Sequence, residues 1–435
     1  MLGRRFGILS LFAFTLSALL LVSACSDDDD GAFSIAQAEA SRNEEPSVSV
    51  SELPPLVEGN TAFATDLYRV LSEDEGNLFF SPYSISVALA MTYAGASGDT
   101  ATEMAGTLHF DLPRDELHLA FNRLDLELDA RSEVETEDDE GEPFEFSIAN
   151  SIWAEQTYQF LGPFLETLAL NYGAGARLVD FVNDPEGART AINTWVNDET
   201  NDRIPELLPQ GVIDAMTRLV LTNAIFFKAS WEEPFPVEGT EDGDFTLLSG
   251  STVRAPLMHS LGTETLQYAE GEDFQAIELA YTGDEMAFLV ILPEQGGFPD
   301  FEEDFDADAL DEIVASLESQ AVTVTLPKFE FSSDVPLKQA LAGLGMATAF
   351  EPGIADFSGM DGTRDLYVSH VLHKAFVAVD EEGTEAAAAT AVVVGVTSAP
   401  LEPKVFEANR PFIFLIRDRL TGTVLFIGRV LDPTR

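Results

Sequence analysis

One cysteine, Cys25, is all that the 435 residues contain. No internal disulfide can form, so the fold must rest on packing. Lysine is nearly as scarce, with five in the chain, the first at Lys228, within a total of 23 basic residues against 76 acidic ones. The formal charge of −53 argues against nucleic acid or another anionic polymer as a partner. So acid-rich and lysine-poor a chain suits a high-salt medium, where screening relieves self-repulsion. Histidine numbers five, and no pair has the spacing of a zinc helix. His370 and His373 fall on a strand pattern, where an odd separation sends them to opposite faces. No metal or other cofactor is expected.

Catalytic signatures are missing too. "GASGD" at Gly95 to Asp99 sets Ser97 directly before a glycine, misses the G-x-S-x-G elbow by one position, and stands at the end of a helix pattern. "DFDADALDEIVA", from Asp304, has the alternate acids of a calcium loop but places Ala309 at the turn glycine and Ala315 at the bidentate glutamate. Catalysis is not expected.

A long uncharged apolar run stands close to the N-terminus. Arg4 and Arg5 precede "FGILSLFAFTLSALLLV", which then ends in "VSAC". A short basic region, an apolar stretch and two small residues before a cysteine resemble a bacterial lipoprotein signal, in which Cys25 is acylated and becomes the mature end. Residues 1–24 are read as that signal peptide. The chain is thus expected to be exported and lipid-anchored at the cell surface or outer membrane, or otherwise secreted, with no other contact with the membrane. From Cys25 to about Pro55 the composition is Ser, Asp, Ala, Glu and Pro with little periodicity, which predicts a flexible acidic tether over residues 25–55. Such a coil would span roughly 30 Å.

From Leu56 patterned segments follow one another without a linker, which predicts one domain over residues 56–435. "SISVALAMTYAGA" is apolar at helical spacing, "DTATEMAGTL" carries Thr100 and Glu103 as a capping box, and "DPEGARTAINTWV" has Asp184 as a cap before Pro185. Strand patterns dominate later, in "AVTVTLPKFEF", "HKAFVAVD", "PFIFLIRD" and "TGTVLFIGRVLDP". Helices early and antiparallel-looking strands late predict an α+β fold. The acid run "SEVETEDDEGE" reads as a solvated loop.

One segment contradicts its position. "DEEGTEAAAATAVVVGVTSAPLEP", Asp380 to Pro403, is strand material placed where a long connection belongs, between two strand patterns. As a strand, one face would carry Thr384, Ala386, Ala388, Thr390, Val392 and Val394, all small or β-branched and uncharged. The single charge, Glu385, falls on the other face. Left exposed, such a segment is an aggregation hazard, so it reads as a strand held in reserve.

The ordered set "NLFFSPYSISVALAMTYAGA", "LVLTNAIFFKASWEEPF", "VTLPKFEF", "ADFSGM", "HKAFVAVDEEGTEAAAATA" and "FEANRPFIFLIRDRLTGTVLFIGRVLDP" resembles the serpins, the serine-protease inhibitor family, from about Leu56 onward. The resemblance implies a serpin fold of about nine helices and three β-sheets, with an exposed reactive-centre loop at the contradictory segment. It implies a suicide substrate: a serine protease cleaves the loop, and the freed strand inserts into the main sheet and drags the acyl-enzyme with it. Counting 17 positions from Glu381 places the scissile bond at Thr397–Ser398, and a frame shifted by one or two residues would choose Val396, Ser398 or Ala399 instead. The hinge that starts insertion matches Glu381, Gly383, Thr384, Ala386, Ala388 and Thr390, and its small residues are those of an inhibitor. The matching shutter residues, which must open for the strand, are Ser81, Ser84, Asn223 and His373, and Trp231 lies where insertion begins. The loop lacks Lys, Arg and aromatic residues, so elastase-like or subtilisin-like proteases are the expected partners. No heparin-like activator is expected of so acidic a surface, and a monomer is. The alternative is a non-inhibitory serpin that acts as a binding protein or is merely cleaved.

Overall fold

A computed structural model describes residues 33–131, 145–384 and 403–435. Ten α-helices occur among them: α1 (Pro54–Leu71), α2 (Pro82–Tyr93), α3 (Gly98–Thr107), α4 (Arg114–Arg131), α5 (Gly162–Tyr172), α6 (Pro185–Glu199), α7 (Phe298–Asp304), α8 (Ala307–Ala315), α9 (Leu337–Gly343) and α10 (Ser358–Asp361). A seven-stranded sheet A has the order β1 (Ser34–Ala36), β4 (Ala176–Val179), β3 (Glu145–Glu155), β5 (Leu219–Ser230), β14 (Gly383–Thr384), β13 (His370–Val379) and β12 (Phe329–Pro336). A ten-stranded sheet B runs β2 (Leu78–Phe80), β17 (Val424–Val430), β16 (Phe412–Asp418), β10 (Met286–Pro293), β9 (Phe274–Ala280), β8 (Glu264–Glu270), β11 (Glu318–Pro327), β7 (Thr252–His259) and β6 (Glu241–Thr246), with β15 (Lys404–Glu407) beside β11. The α+β expectation holds.

The third sheet of the expected three is continuous with sheet B among the described residues. The join is β11, whose first half pairs with β8 while its second half pairs with β7 and β15. "AVTVTLPKFEF", one alternating run in the sequence, is likewise two strands in two sheets, β11 and β12, which part at Lys328. Alternation is blind to a change of partner.

Helix α2 is buried along its whole length, between β3 and β5 of sheet A and β17 of sheet B. A helix without a charge and with apolar residues on every side lies inside, with the Ser84 and Thr92 hydroxyls hydrogen-bonded there. Asp184 caps α6 as expected, accepting the Gly187 N–H at 3.0 Å, and Asp306 of the calcium-like run is simply the cap of α8, accepting the Ala309 N–H at 2.9 Å. The capping box at Thr100 and Glu103 is not found. Helix α3 starts earlier, after Ser97, and both side chains instead serve another segment: Thr100 accepts the Asp356 N–H at 3.0 Å and Glu103 the Thr348 N–H at 2.9 Å.

The tether expectation needs correction over residues 33–55, which are packed against the domain. Strand β1 pairs antiparallel with β4 at the edge of sheet A, and Phe33 meets the Trp153 ring edge-on at 4.9 Å. The Arg177 guanidinium lies over Phe33, Trp153 and Trp195, the last at 4.3 Å. Farther on, Arg42 reaches Asn122 at 2.8 Å and Asp125 at 2.6 Å, while the Asn43 N–H donates to the Leu170 carbonyl at 2.9 Å. Two isolated anchors among polar residues give no period to read. Cys25 and the acid run after Arg131 lie outside the described residues.

Phe33→Ala removes the ring that closes this aromatic cluster and is expected to lower stability by about 1–2 kcal/mol. Thermal unfolding of the uncleaved protein measures it. An unchanged midpoint would mean that the arm contributes nothing.

Candidate functional site

Sheet A is closed at one end and wedged at the other. Below, β5 and β13 pair in parallel, from Val220 with His370 to Ile225 with Ala375. Above, β14 stands between them, with Gly383 opposite Ser230 and Thr384 opposite both Ala229 and Val379. Between these regions, residues 226–228 and 376–378 of the facing edges have no strand partner across the seam among the described residues.

The wedge is tightly built. A Cβ on Gly383 would lie 2.1 Å from the Ala229 carbonyl oxygen and 2.8 Å from the Ser230 Cα, so only glycine lets the two backbones approach. Thr384 is buried and its hydroxyl bonds the Tyr281 hydroxyl at 2.7 Å. Burial pushes that phenol far above its ordinary pKa, so it keeps its proton. Trp231 stacks on Tyr281 at 4.8 Å, as its packing role requires, but it also ties down the turn before the wedge. Its indole N–H donates to the Asp380 carbonyl at 3.0 Å and its backbone N–H to the Glu382 carbonyl at 2.8 Å. Glu381 is buried and accepts from Thr240 at 2.7 Å and from Lys328. Burial opposes its charge, yet the bonds from Lys328 and Thr240 prevail and hold its pKa below the usual range.

Four predicted shutter residues meet in the closed half. His373 accepts the Ser81 N–H on Nε2 at 3.1 Å, which leaves the Nδ1–H to donate to the Asn223 side-chain oxygen across the β5–β13 seam. Asn223 donates to the Ser84 hydroxyl at 2.6 Å. Ser81 caps α2, accepting the Ser84 N–H at 3.1 Å while donating to the Leu425 carbonyl at 2.6 Å. Asn150 of β3 completes the group and was not foreseen. It accepts from Asn223 and, at 3.1 Å, from Ser84, and returns a bond to the Ser84 carbonyl at 3.0 Å. A lone asparagine in the apolar run "SIANSIW" was the available signal. Burial drives His373 down to about 3, against the opposing bond to Asn223, so the ring is neutral at any ordinary pH. Of the other predicted positions, Ala386, Ala388, Thr390, Thr397 and Ser398 lie outside the described residues.

A family model described as Serpin (serine protease inhibitor) matches residues 58–433. An uncharacterised serpin-like protein of Thermococcus kodakarensis is 40% identical over 382 residues, 87% of this chain and 86% of its own. Leukocyte elastase inhibitor A of Rattus norvegicus is 41% identical over 388 residues, 87% of this chain and 99% of its own. Among solved structures, the thermophilic serpin tengpin in its native state aligns with a TM-score of 0.79 at 29% identity, covering 92% of this chain and 99% of its own.

A histidine near 3 when folded and near 6.5 when unfolded gains its proton only on unfolding. Its contribution to stability is therefore complete above about pH 6.5 and declines as the pH falls toward 3. His118, pushed down to about 4 by burial and by Arg114, acts in the same direction. Urea unfolding between pH 6.5 and 4.5 should show His373→Gln less stable than the parent at the upper limit, but with a pH dependence shallower by about 1.4 kcal/mol per unit. An equal slope in both proteins would contradict the assignment of His373 as the buried neutral group.

Proposed function

The chain belongs to the serpin family, inhibitors of serine proteases rather than catalysts, and on that premise we propose that it traps its target by inserting the cleaved loop between β5 and β13. The supporting observation is register. Ala229 and Val379, which flank Thr384, are separated by the same 150 positions as Asn223 and His373 in the closed half. The two edges need only part, without sliding, to receive one continuous strand.

Extending that register past Thr384 sets Ala386 between Phe227 and Val377, and Ala388 between Ile225 and Ala375, four positions whose side chains are buried. Alanine is what such a slot admits. Thr390 then arrives between Asn223 and His373. Insertion breaks their hydrogen bond, and a hydroxyl, both donor and acceptor, can accept from the His373 Nδ1–H while donating to the Asn223 oxygen. No buried polar group is left unpaired. Pairing continues to Val393 on β13 and Val394 on β5, where the strands end. That is a travel of roughly 33 Å at about 3.3 Å per residue, and the remaining residues to Thr397 would run past the strand ends. Displacing an acyl-enzyme so far would pull its catalytic residues and oxyanion hole out of alignment.

The proposed bond is Thr397–Ser398, with insertion beginning beside Trp231. The loop "VVVGVTSA" offers small side chains to shallow specificity pockets, and the similarity to a leukocyte elastase inhibitor favours the same elastase-like class, with subtilisin-like enzymes beside it. We place the protein as a monomer on a membrane, anchored through acylated Cys25. Seven residues separate Cys25 from Phe33, where the described structure begins.

Mixed with pancreatic elastase or subtilisin, the protein should form a covalent complex that survives SDS, and should react more slowly with trypsin. Ala388→Glu should turn inhibitor into substrate, because a charge forced into the sheet costs several kcal/mol, whereas Ala387→Glu, on the other face, should stay close to the parent stoichiometry. Cleavage with no complex for the parent would leave the substrate or binding-protein alternative. Fastest trapping of trypsin would refute the target class.

For the anchor, Cys25→Ala should fail to incorporate labelled palmitate and should leave the membrane fraction. Normal labelling of this variant would disprove lipidation at Cys25.

A further inference from the structure

A cavity of about 370 Å³ opens between the turn joining β8 to β9 and helices α7 and α8, away from the β5–β13 seam. Its volume lies at the small end of the range for ligand pockets, roughly 300–1,000 Å³. Three phenyl rings line it. Phe305 is buried at its base, and Phe274 and Phe301 are half-buried, with the Phe301 ring 5.9 Å from Phe274 and 6.1 Å from Phe305.

The rim has charge of one sign. Glu270, Asp273, Asp304 and Glu312 line the cavity and are exposed. Glu270 is neutralised by Lys404 at 2.6 Å and also accepts from the Tyr268 hydroxyl at 3.0 Å. Among the described residues, no side chain donates to the carboxylates of Asp273, Asp304 or Glu312. Three carboxylates without a side-chain donor among the described residues thus stand around an aromatic floor. A hydrated inorganic cation would leave the phenyl surface wet, and a neutral hydrocarbon would ignore the rim.

We propose that this cavity binds a small organic ammonium with an aromatic or short aliphatic body. The body displaces water from the three rings, while the ammonium stays at the mouth, where the carboxylates and the negative faces of the phenyl groups both attract it. Discrimination rests on the charge, since an uncharged isostere keeps only the apolar contribution.

The test uses the full chain and two probes of nearly equal shape, 2-phenylethylammonium and 2-phenylethanol, with binding read by calorimetry in low salt. The amine should bind at least tenfold tighter. The double variant Asp304→Asn/Glu312→Gln should bring the amine down to the affinity of the alcohol, and Phe301→Ala should weaken both. Phe301→Leu, which keeps most of the volume without the ring, should weaken the amine more than the alcohol, and thermal unfolding of each variant verifies its fold. Equal binding of the two probes, no saturable binding of the amine at millimolar concentration, or an affinity unmoved by the double variant would each overturn the proposal.

Discussion

The seam between β5 and β13 is the constraint on which the rest of sheet A depends. Below, the sheet is closed by parallel pairing and by the bond from His373 to Asn223, and above it is held apart by the backbone of Gly383 and Thr384. Between the two, backbone groups that would normally pair across the seam are left without strand partners among the described residues, which is unfavourable wherever water is kept away. At the foot of the seam the side chains of Ser84, Asn150, Asn223 and His373, from one helix and three strands, and the Ser81 N–H satisfy one another in a single hydrogen-bonded group.

Scarce cations have definite places around this seam. Lys328 lies at the point where β11 gives way to β12 and pairs with buried Glu381, so the change of sheet and the turn before the wedge share one ion pair. Lys404 opens β15 and pairs with Glu270. Two of the five lysines thus fasten the backbone on either side of the loop segment, and the rest of the surface keeps its negative charge. Arginines neutralise the buried acids of sheet B, with Arg131 on Asp418 at 3.1 Å and Arg417 on Glu278 at 2.6 Å. Removing one member of such a pair strands a charge in the interior, so these few contacts weigh more than the many exposed acids.

Much of the site was readable in advance. Ser81, Ser84, Asn223 and His373 were placed by their segments, and the structure brings all four into one hydrogen-bonded group. Asn150 escaped because one polar residue within a strand carries no mark of its partner. The N-terminal arm escaped for a different reason, since its hold is two anchors, Phe33 and Arg42, without a repeating pattern between them. The misplaced cap at Thr100 and Glu103 shows the converse, a good local motif whose side chains found better partners 245 residues or more away.

What the sequence determined by itself was whatever depends on neighbours a few positions apart: the uncharged helix α2, the cap at Asp184 and the alternation of β13. What only the tertiary structure decided was register and partnership. That β5 and β13 keep one offset along their length, that Gly383 must be glycine because Ala229 presses against it, and that Thr384 meets Tyr281 all follow from segments distant in the chain packed at van der Waals distance. Periodicity states which face of a strand is buried, but not what will be found there, because side-chain contacts across a sheet are set by the other strand.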